Sequence, residues 1–474
     1  MRLLLALGLL LSLPVARAVE ADVIVYGATP GGFCAAIAAA REGAKVVLLE
    51  PTAHVGGVNT GGLSFSDSNQ TVRSTLLGLF EEWHTRIAAD YAARGVKLPY
   101  DVATKDNSVW TYEPHVAARV TDAMLKEAGV KILTKQPLEG VEKNGARIVS
   151  LRTSAGVHTA KVFIDASYVG DLMAAAGVSY AVGREPNTLF TETLNGAQRG
   201  DNKPRKHYTQ KDKDHFVKDV DPYLKAGDPT SGLLPFVFAE DPVTGEGDRR
   251  IQAYNYRLCV TTDPANRLPF TKPEGYRELD HEMLLRNLEA GDVRFPALLH
   301  KLPNGKTDWN SMHAVGTDYV GANWAYPEAD YATRRKIEQA HELYIRGHLW
   351  TLANHPRVPA EIRTQAAAYG LCKDEFPTRG GFSPMIYIRE ARRLQGAYVM
   401  TEQDCKGKRK ADDPVALASF GLDSHAVRYF VTKRGFLERD GVIWNVPPRP
   451  YGVSYRSLTP KAEECTNLLV PVCL

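Results

Sequence analysis

The stretch Asp22-Val23-Ile24-Val25-Tyr26-Gly27-Ala28-Thr29-Pro30-Gly31-Gly32, continued through residues 33–42 to Lys45-Val46-Val47-Leu48-Leu49-Glu50, decides the fold. Its first five residues are nearly all apolar, which suits a strand covered on both faces. A glycine-rich turn follows, then an alanine-rich segment that reads as a helix able to lie close against a sheet, then a second apolar run. Strand, tight turn, helix and strand in that order form a βαβ unit of a parallel sheet.

The turn Gly27-x-Thr29-x-x-Gly32 is the G-x-G-x-x-G fingerprint of a dinucleotide site with threonine in the middle place. The first glycine makes the turn, the middle one admits backbone to a pyrophosphate, and the last lets helix and strand close up. Thr29 is expected to offer its hydroxyl and N–H to phosphate, beside Gly31 and the positive end of the helix. Glu50, ending the second strand, stands where the carboxylate that binds the adenosine ribose belongs.

Two further glycine pairs come soon after, Gly56-Gly57 and Gly61-Gly62, around Asn59 and Thr60. NAD and FAD share the first fingerprint, but glycines here favour FAD, whose extended length needs backbone close beside it. Residues 131–164 add short alternating segments punctuated by Asn144-Gly145 and Ser154-Ala155-Gly156, a small β-meander ending in a return strand at 161–164.

With these residues in view, the chain resembles the FAD-dependent oxidoreductases of the glutathione reductase type fold, sometimes labelled xanthan lyase-like. Stretches that look like the family's are Tyr112-Glu113-Pro114-His115, Ile164-Asp165-Ala166-Ser167-Tyr168-Val169-Gly170-Asp171, Tyr254-Asn255-Tyr256-Arg257-Leu258-Cys259, Pro303-Asn304-Gly305-Lys306-Thr307-Asp308 and Tyr387-Ile388-Arg389-Glu390-Ala391-Arg392-Arg393. The resemblance implies a β-meander crossover and a second FAD contact through Asp165, Ala166 and Asp171. Relatives with iron-sulfur clusters carry clustered cysteines, whereas Cys34, Cys259, Cys372, Cys405, Cys465 and Cys473 are scattered without C-x-x-C spacing; no cluster and no metal is expected. Related sequences run on into a glycine-rich turn and helix, so the chain reads as truncated at Leu474.

The implied fold class is α/β: a Rossmann-like FAD-binding domain with a β-meander crossover, plus an inserted α+β cap or substrate domain. The expected bounds are 1–18 signal peptide, 19–183 FAD-binding domain, 184–375 cap, and 376–474 return to the FAD-binding domain. In the cap, residues 330–352 read as helix; after it, 385–388 read as strand, 389–400 as helix and 467–474 as a last apolar strand. Arg2, the apolar run 3–13 and Ala16-Arg17-Ala18 have the order of an export signal. That run is too short for a bilayer, so no transmembrane segment is expected. A formal net charge of +3 without a basic run excludes a nucleic-acid footprint.

Catalytic candidates are Arg389 and Arg392, read as sharing a helix face beside Arg393, and the acid or base candidates His313 and Asp318. Trp309, Tyr319, Trp324 and Tyr326 are candidates to stack on a ring or to anchor a loop core. The reading is an exported flavoprotein that moves hydride from a small organic substrate, carbohydrate-derived being one class, to FAD, with an unidentified electron acceptor. Two rivals stay open: a carbohydrate lyase or hydrolase on a flavoprotein fold, and a non-catalytic flavin binder.

Overall fold

The computed structural model describes residues 19–104, 108–200 and 215–473; the expected signal peptide lies outside them. Strand β1 (Val19–Tyr26), helix α1 (Pro30–Arg41) and strand β2 (Val46–Leu49) are the βαβ unit read from the sequence. Its seven-stranded sheet continues with β3 (Lys131–Leu133), β4 (Leu138–Asn144), β5 (Arg147–Thr153) and β6 (Gly156–Asp165) in the order β3-β2-β1-β6-β5-β4, and Leu468–Leu469 pairs with β6 as the seventh strand. The antiparallel run β4-β5-β6 is the meander, and its last strand is also the return strand, pairing parallel with β1 from Val19↔His158 to Tyr26↔Asp165.

Alternate residues of β1 serve opposite faces, which is why its second half, Val23 to Tyr26, is apolar throughout. Val25 packs with Ile37 of α1, Trp83 and Met124 under the helices Gly78–Ala93 and Pro114–Glu127. Ile24 and Tyr26 pack the other way with Leu49, Phe163, Met173 and Val470. Thr29 caps α1, accepting from the Gly32 N–H at 3.2 Å, and Pro30 follows at the first turn, where its missing donor costs nothing.

The residues between hold a second sheet of five strands in the order Arg267–Pro269, Gly370–Cys372, Leu258–Thr261, Lys306–Ser311, Ala297–Lys301. It shares the largest core with the long helix Tyr331–Asn354, fully burying Trp309 and Ile345. Residues 376–474, expected to return as a whole to the cofactor half, do so at Arg393–Leu394, paired with Tyr180–Ala181, and at Leu468–Leu469. Between them, strands from Pro414 to Ser454 form small sheets of their own, and Arg428–Val431 also pairs with Val237–Phe238.

The helix expected over 389–400 is absent: the segment is extended through Arg393–Leu394. Its arginines explain why, since Arg389 bonds the Ala253 carbonyl and Asp318, Arg392 the Val169 carbonyl and Asp171, and Arg393 the Gly183 carbonyl and Glu185. Partners scattered in that way need an extended chain, and tertiary bonding overrides local propensity.

Burial also makes the fold acid-sensitive. It pushes His84 and His348 down to about 3, and His281 and His341 to about 4, from an ordinary 6.5. Between those values the unfolded chain binds protons that the folded one refuses, so this stability is whole above pH 6.5 and is lost as pH falls toward 4. Each histidine contributes up to about 1.4 kcal/mol per pH unit. Calorimetry should show the melting temperature falling steeply below about pH 6.5, and His348→Leu should shallow that slope; a melting temperature unchanged down to about pH 5 would refute this.

Candidate functional site

The site is built where β1 and β6 end. Gly27 has φ +98°, and a Cβ there would lie 2.6 Å from the Ser167 nitrogen, so only glycine lets the two strand ends meet. The Thr29 hydroxyl donates to the Ala166 carbonyl at 2.7 Å while accepting from Gly32. The hydroxyl expected to meet phosphate is thus spent on the turn, which leaves backbone and helix end for the anion. Glu50 is 6% exposed, and its carboxylate accepts from the Ala28 N–H at 2.7 Å and from the Thr52 N–H at 2.8 Å. Burial raises its pKa against those bonds.

Gly27, Thr29, Glu50, Gly57 and Asp171 line one cavity of about 340 Å³. These are the turn, the carboxylate expected at the ribose, the second glycine run and the expected second contact of an extended dinucleotide, brought together from three separate places in the chain. A Cβ on Gly57 would lie 2.3 Å from the Tyr168 hydroxyl, which itself bonds the Val58 N–H at 3.0 Å. The helix Tyr331–Asn354 roofs the cavity with Arg334 and Arg335. Arg334 grips both oxygens of Asp171 at 2.7 and 2.9 Å, and Arg392 adds a third bond at 2.8 Å. Burial alone would raise the Asp171 carboxyl, but the two guanidiniums outweigh it and hold it below the usual range.

The other expected cofactor residues do not line this cavity themselves. Asp165 is fully buried and orders the turn after β6, accepting from Ser167 and from the Met173 N–H; burial lifts its carboxyl to about 6. Thr60 bonds the Val55 carbonyl at 2.6 Å, and Gly56, at φ +98°, makes room for its side chain. Asn59 closes a short turn with Gly57. Gly61 packs on Met385, and a Cβ on Gly62 would meet the Arg257 carbonyl at 2.3 Å.

From Gly62 the chain passes into a second cavity of about 330 Å³, which Phe65, Asp67, Arg257, His300, His425 and Trp444 help to line. Arg257 is clamped by Asp308 at 3.0 and 2.6 Å, and Asp308 also accepts from the Ser64 N–H. The Tyr112 hydroxyl donates to the Leu63 carbonyl. Three of the family-like stretches therefore converge on this one loop. His425 Nδ1 lies 2.6 Å from Asp318, whose other oxygen accepts from Arg389 at 3.0 Å. Burial would raise Asp318, but Arg389 and then His425 hold it well below the usual carboxylate range. Gln70 and Trp444 also line an open cleft of about 1090 Å³ outside.

Of the catalytic candidates, Arg389 pairs with Asp318, Arg392 meets the first cavity only through its bond to Asp171, and neither it nor His313 lines either cavity. His313 instead has φ +64° and accepts at its carbonyl from Arg439. His425 was missed: no motif marks it, and 107 residues separate it from Asp318. Trp309 is a core residue, and Tyr326, in the same core, also lines the first cavity. Among the described residues, Glu113, His115 and Glu375 approach with metal-ligand spacing, but the Lys306 ammonium, 2.7 Å from both Glu113 and Glu375, already supplies the cation there.

Residues 22–474 match the family model described as FAD dependent oxidoreductase. The chain belongs to this family. FAD is its cofactor, and the donor set of the first cavity fits that group. The chain is also similar to the mitochondrial dihydrolipoyl dehydrogenases of Mus musculus and Rattus norvegicus, 35% identical over 83 residues. That match spans 17% of this chain and 15% of each relative. Among solved structures, L-amino acid deaminase from Proteus vulgaris is 19% identical, covering 38% of this chain and 53% of that one, at a TM-score of 0.28. L-proline dehydrogenase from P. horikoshii is 14% identical, covering 39% and 60%, at a TM-score of 0.28. At such scores the likeness is too slight to bear on function. Among the described residues no helix is long and apolar enough to cross a membrane.

Proposed function

We propose that this FAD-dependent oxidoreductase takes hydride from an organic substrate seated in the polar cavity beyond Gly62, with His425 as the base. The observation that carries the reading is the Asp318–His425 pair, at 2.6 Å, facing a cavity that the cofactor-binding loop itself enters at Phe65. Gly27, Thr29, Gly31, Gly32, Glu50, Gly57 and Asp171 would hold FAD, with Gly56, Asn59, Thr60, Gly61, Gly62, Asp165 and Ala166 shaping the backbone around it. Bound FAD supplies a two-electron hydride acceptor.

The residues then divide the remaining work. Asp318, kept ionised by Arg389, fixes a proton on His425 Nδ1 and leaves Nε2 to accept one from substrate. Asp423, 3.8 Å from Nε2, steadies the imidazolium so formed. Arg257, held by its Nε and Nη2 on Asp308, turns its remaining edge to an electron-rich substrate group. Phe420 and Trp444 at the mouth offer ring faces suited to a carbohydrate-derived substrate, with the outer cleft taking any longer portion. The order of Arg2, residues 3–13 and Ala16-Arg17-Ala18 supports export as part of the same proposal.

One observation favours the lyase or hydrolase alternative: Asp67 and Asp423 line the same cavity, and burial raises the Asp67 carboxyl. Anaerobic mixing of the FAD-loaded protein with a panel of sugars, sugar acids and amino acids separates the readings. Bleaching of the flavin band by one class supports hydride removal; cleavage products released with the band unchanged would replace that reading with the alternative.

A further inference from the structure

We propose that Cys259 and Cys372 form a covalent modification site, a dithiol that two-electron oxidation closes into a buried cross-strand disulfide. The strands Leu258–Thr261 and Gly370–Cys372 pair antiparallel with Gly370 opposite Thr261 and Leu371 opposite Val260. One step further along that register sets Cys372 opposite Cys259. Directly opposed residues of antiparallel strands have Cα atoms about 4.5–5.5 Å apart, inside the roughly 4.4–6.8 Å span of disulfides. The two sulfurs lie 3.9 Å apart, so closure needs side-chain rotation and no strand movement.

Both cysteines are fully buried, and with Leu302 they make a small cluster separate from the larger cores. Each is also next to a working part of the molecule. Cys259 follows Arg257 by two residues, and Cys372 precedes Glu375, which accepts from Lys306 and His115. A bond here would tie the strand leading from the polar cavity to the strand leading to that buried ion cluster. It would close a long loop of chain, and long loops gain most from a crosslink that restricts the unfolded state.

The chemistry balances with a disulfide as oxidant, either a small molecule such as oxidised glutathione or a protein dithiol oxidant. One thiolate attacks the oxidant's S–S bond to form a mixed disulfide, and the second thiolate displaces the bound sulfur. The Cys259–Cys372 bond forms, the oxidant's bond breaks, and the oxidant's two sulfurs carry away two electrons and two protons. Burial holds the Cys259 thiol well above its ordinary range, so in the finished fold it exchanges slowly, and the bond is set while the sheet assembles.

The test refolds the FAD-loaded full chain in oxidised glutathione, denatures it, caps free thiols with N-ethylmaleimide and digests it without reduction. The expected map joins the Cys259 and Cys372 peptides in one species, lighter by two hydrogens than the pair, with Cys34, Cys405, Cys465 and Cys473 capped. Dithiothreitol should then lower the melting temperature by about 5 °C or more. Recovery of Cys259 and Cys372 both capped, or either joined to another cysteine, overturns the proposal. So does a dithiothreitol effect that persists in the double variant Cys259→Ala/Cys372→Ala; the peptide map of the wild type decides the matter even where that variant does not fold.

Discussion

His425→Gln is expected to retain bound flavin and to lose about 10²- to 10⁴-fold in the rate at which substrate bleaches it, the range over which a positioned general base acts. Glutamine can still donate to Asp318, so the buried carboxylate keeps a partner and the fold should hold. What it lacks is a basic nitrogen where Nε2 stands. His425 is one-fifth exposed and bears on the cavity, whereas Asp318 and Arg389 are buried behind it. Stopped-flow absorbance at the flavin band, in single-turnover conditions, measures the step itself and separates it from later reoxidation. An unchanged bleaching rate would remove His425 from the chemistry. Loss of flavin from the variant would instead make its role that of a wall residue.

Gly32→Val is expected to abolish flavin retention. A Cβ on Gly32 would lie 1.9 Å from the Gly27 carbonyl oxygen and 3.1 Å from the Ala166 Cβ. Neither neighbour is the far end of a flexible side chain, so the helix must move off the turn, and overpacking of this kind costs about 1–3 kcal/mol or more. The displaced backbone is the turn that lines the cavity proposed for the cofactor, which makes binding more sensitive than folding. Gly43→Ala is the matched control: Gly43 has φ +89° with nothing within 4 Å of its Cβ, so it pays local strain of about 1–2 kcal/mol and crowds nothing. Flavin content after gel filtration should be lost in the first variant and kept in the second; flavin retained by Gly32→Val would show that the turn does not bear on the cofactor.

The cofactor half was legible because its determinants are local. Gly27, Gly32 and Glu50 belong to one βαβ unit, and their spacing is imposed by a turn, a helix length and a strand length, all of which a sequence displays. The meander was legible for the same reason, through Asn144-Gly145 and period-two alternation. The side proposed for substrate was not. His425 and Asp318 sit on separate irregular segments, and a hydrogen bond between such segments leaves no periodicity in either. Arg389, Arg392 and Arg393 show the opposite failure. Their spacing fits a helix, but each guanidinium answers a different distant partner, Asp318, Asp171 and Glu185, and the chain is extended to reach all three. Thr29 stands on the turn read from the sequence, but its hydroxyl is taken up by the Ala166 carbonyl and the Gly32 N–H, so the phosphate-facing role expected of it is left to backbone.

The visible absorption spectrum of the purified protein, after incubation with FAD and removal of the excess, tests the central claim most directly. The account predicts that flavin bands remain with the protein at about one FAD per chain, held by the cavity that Gly27, Glu50, Gly57 and Asp171 line. A colourless protein, folded by calorimetry yet unable to retain FAD, would contradict it.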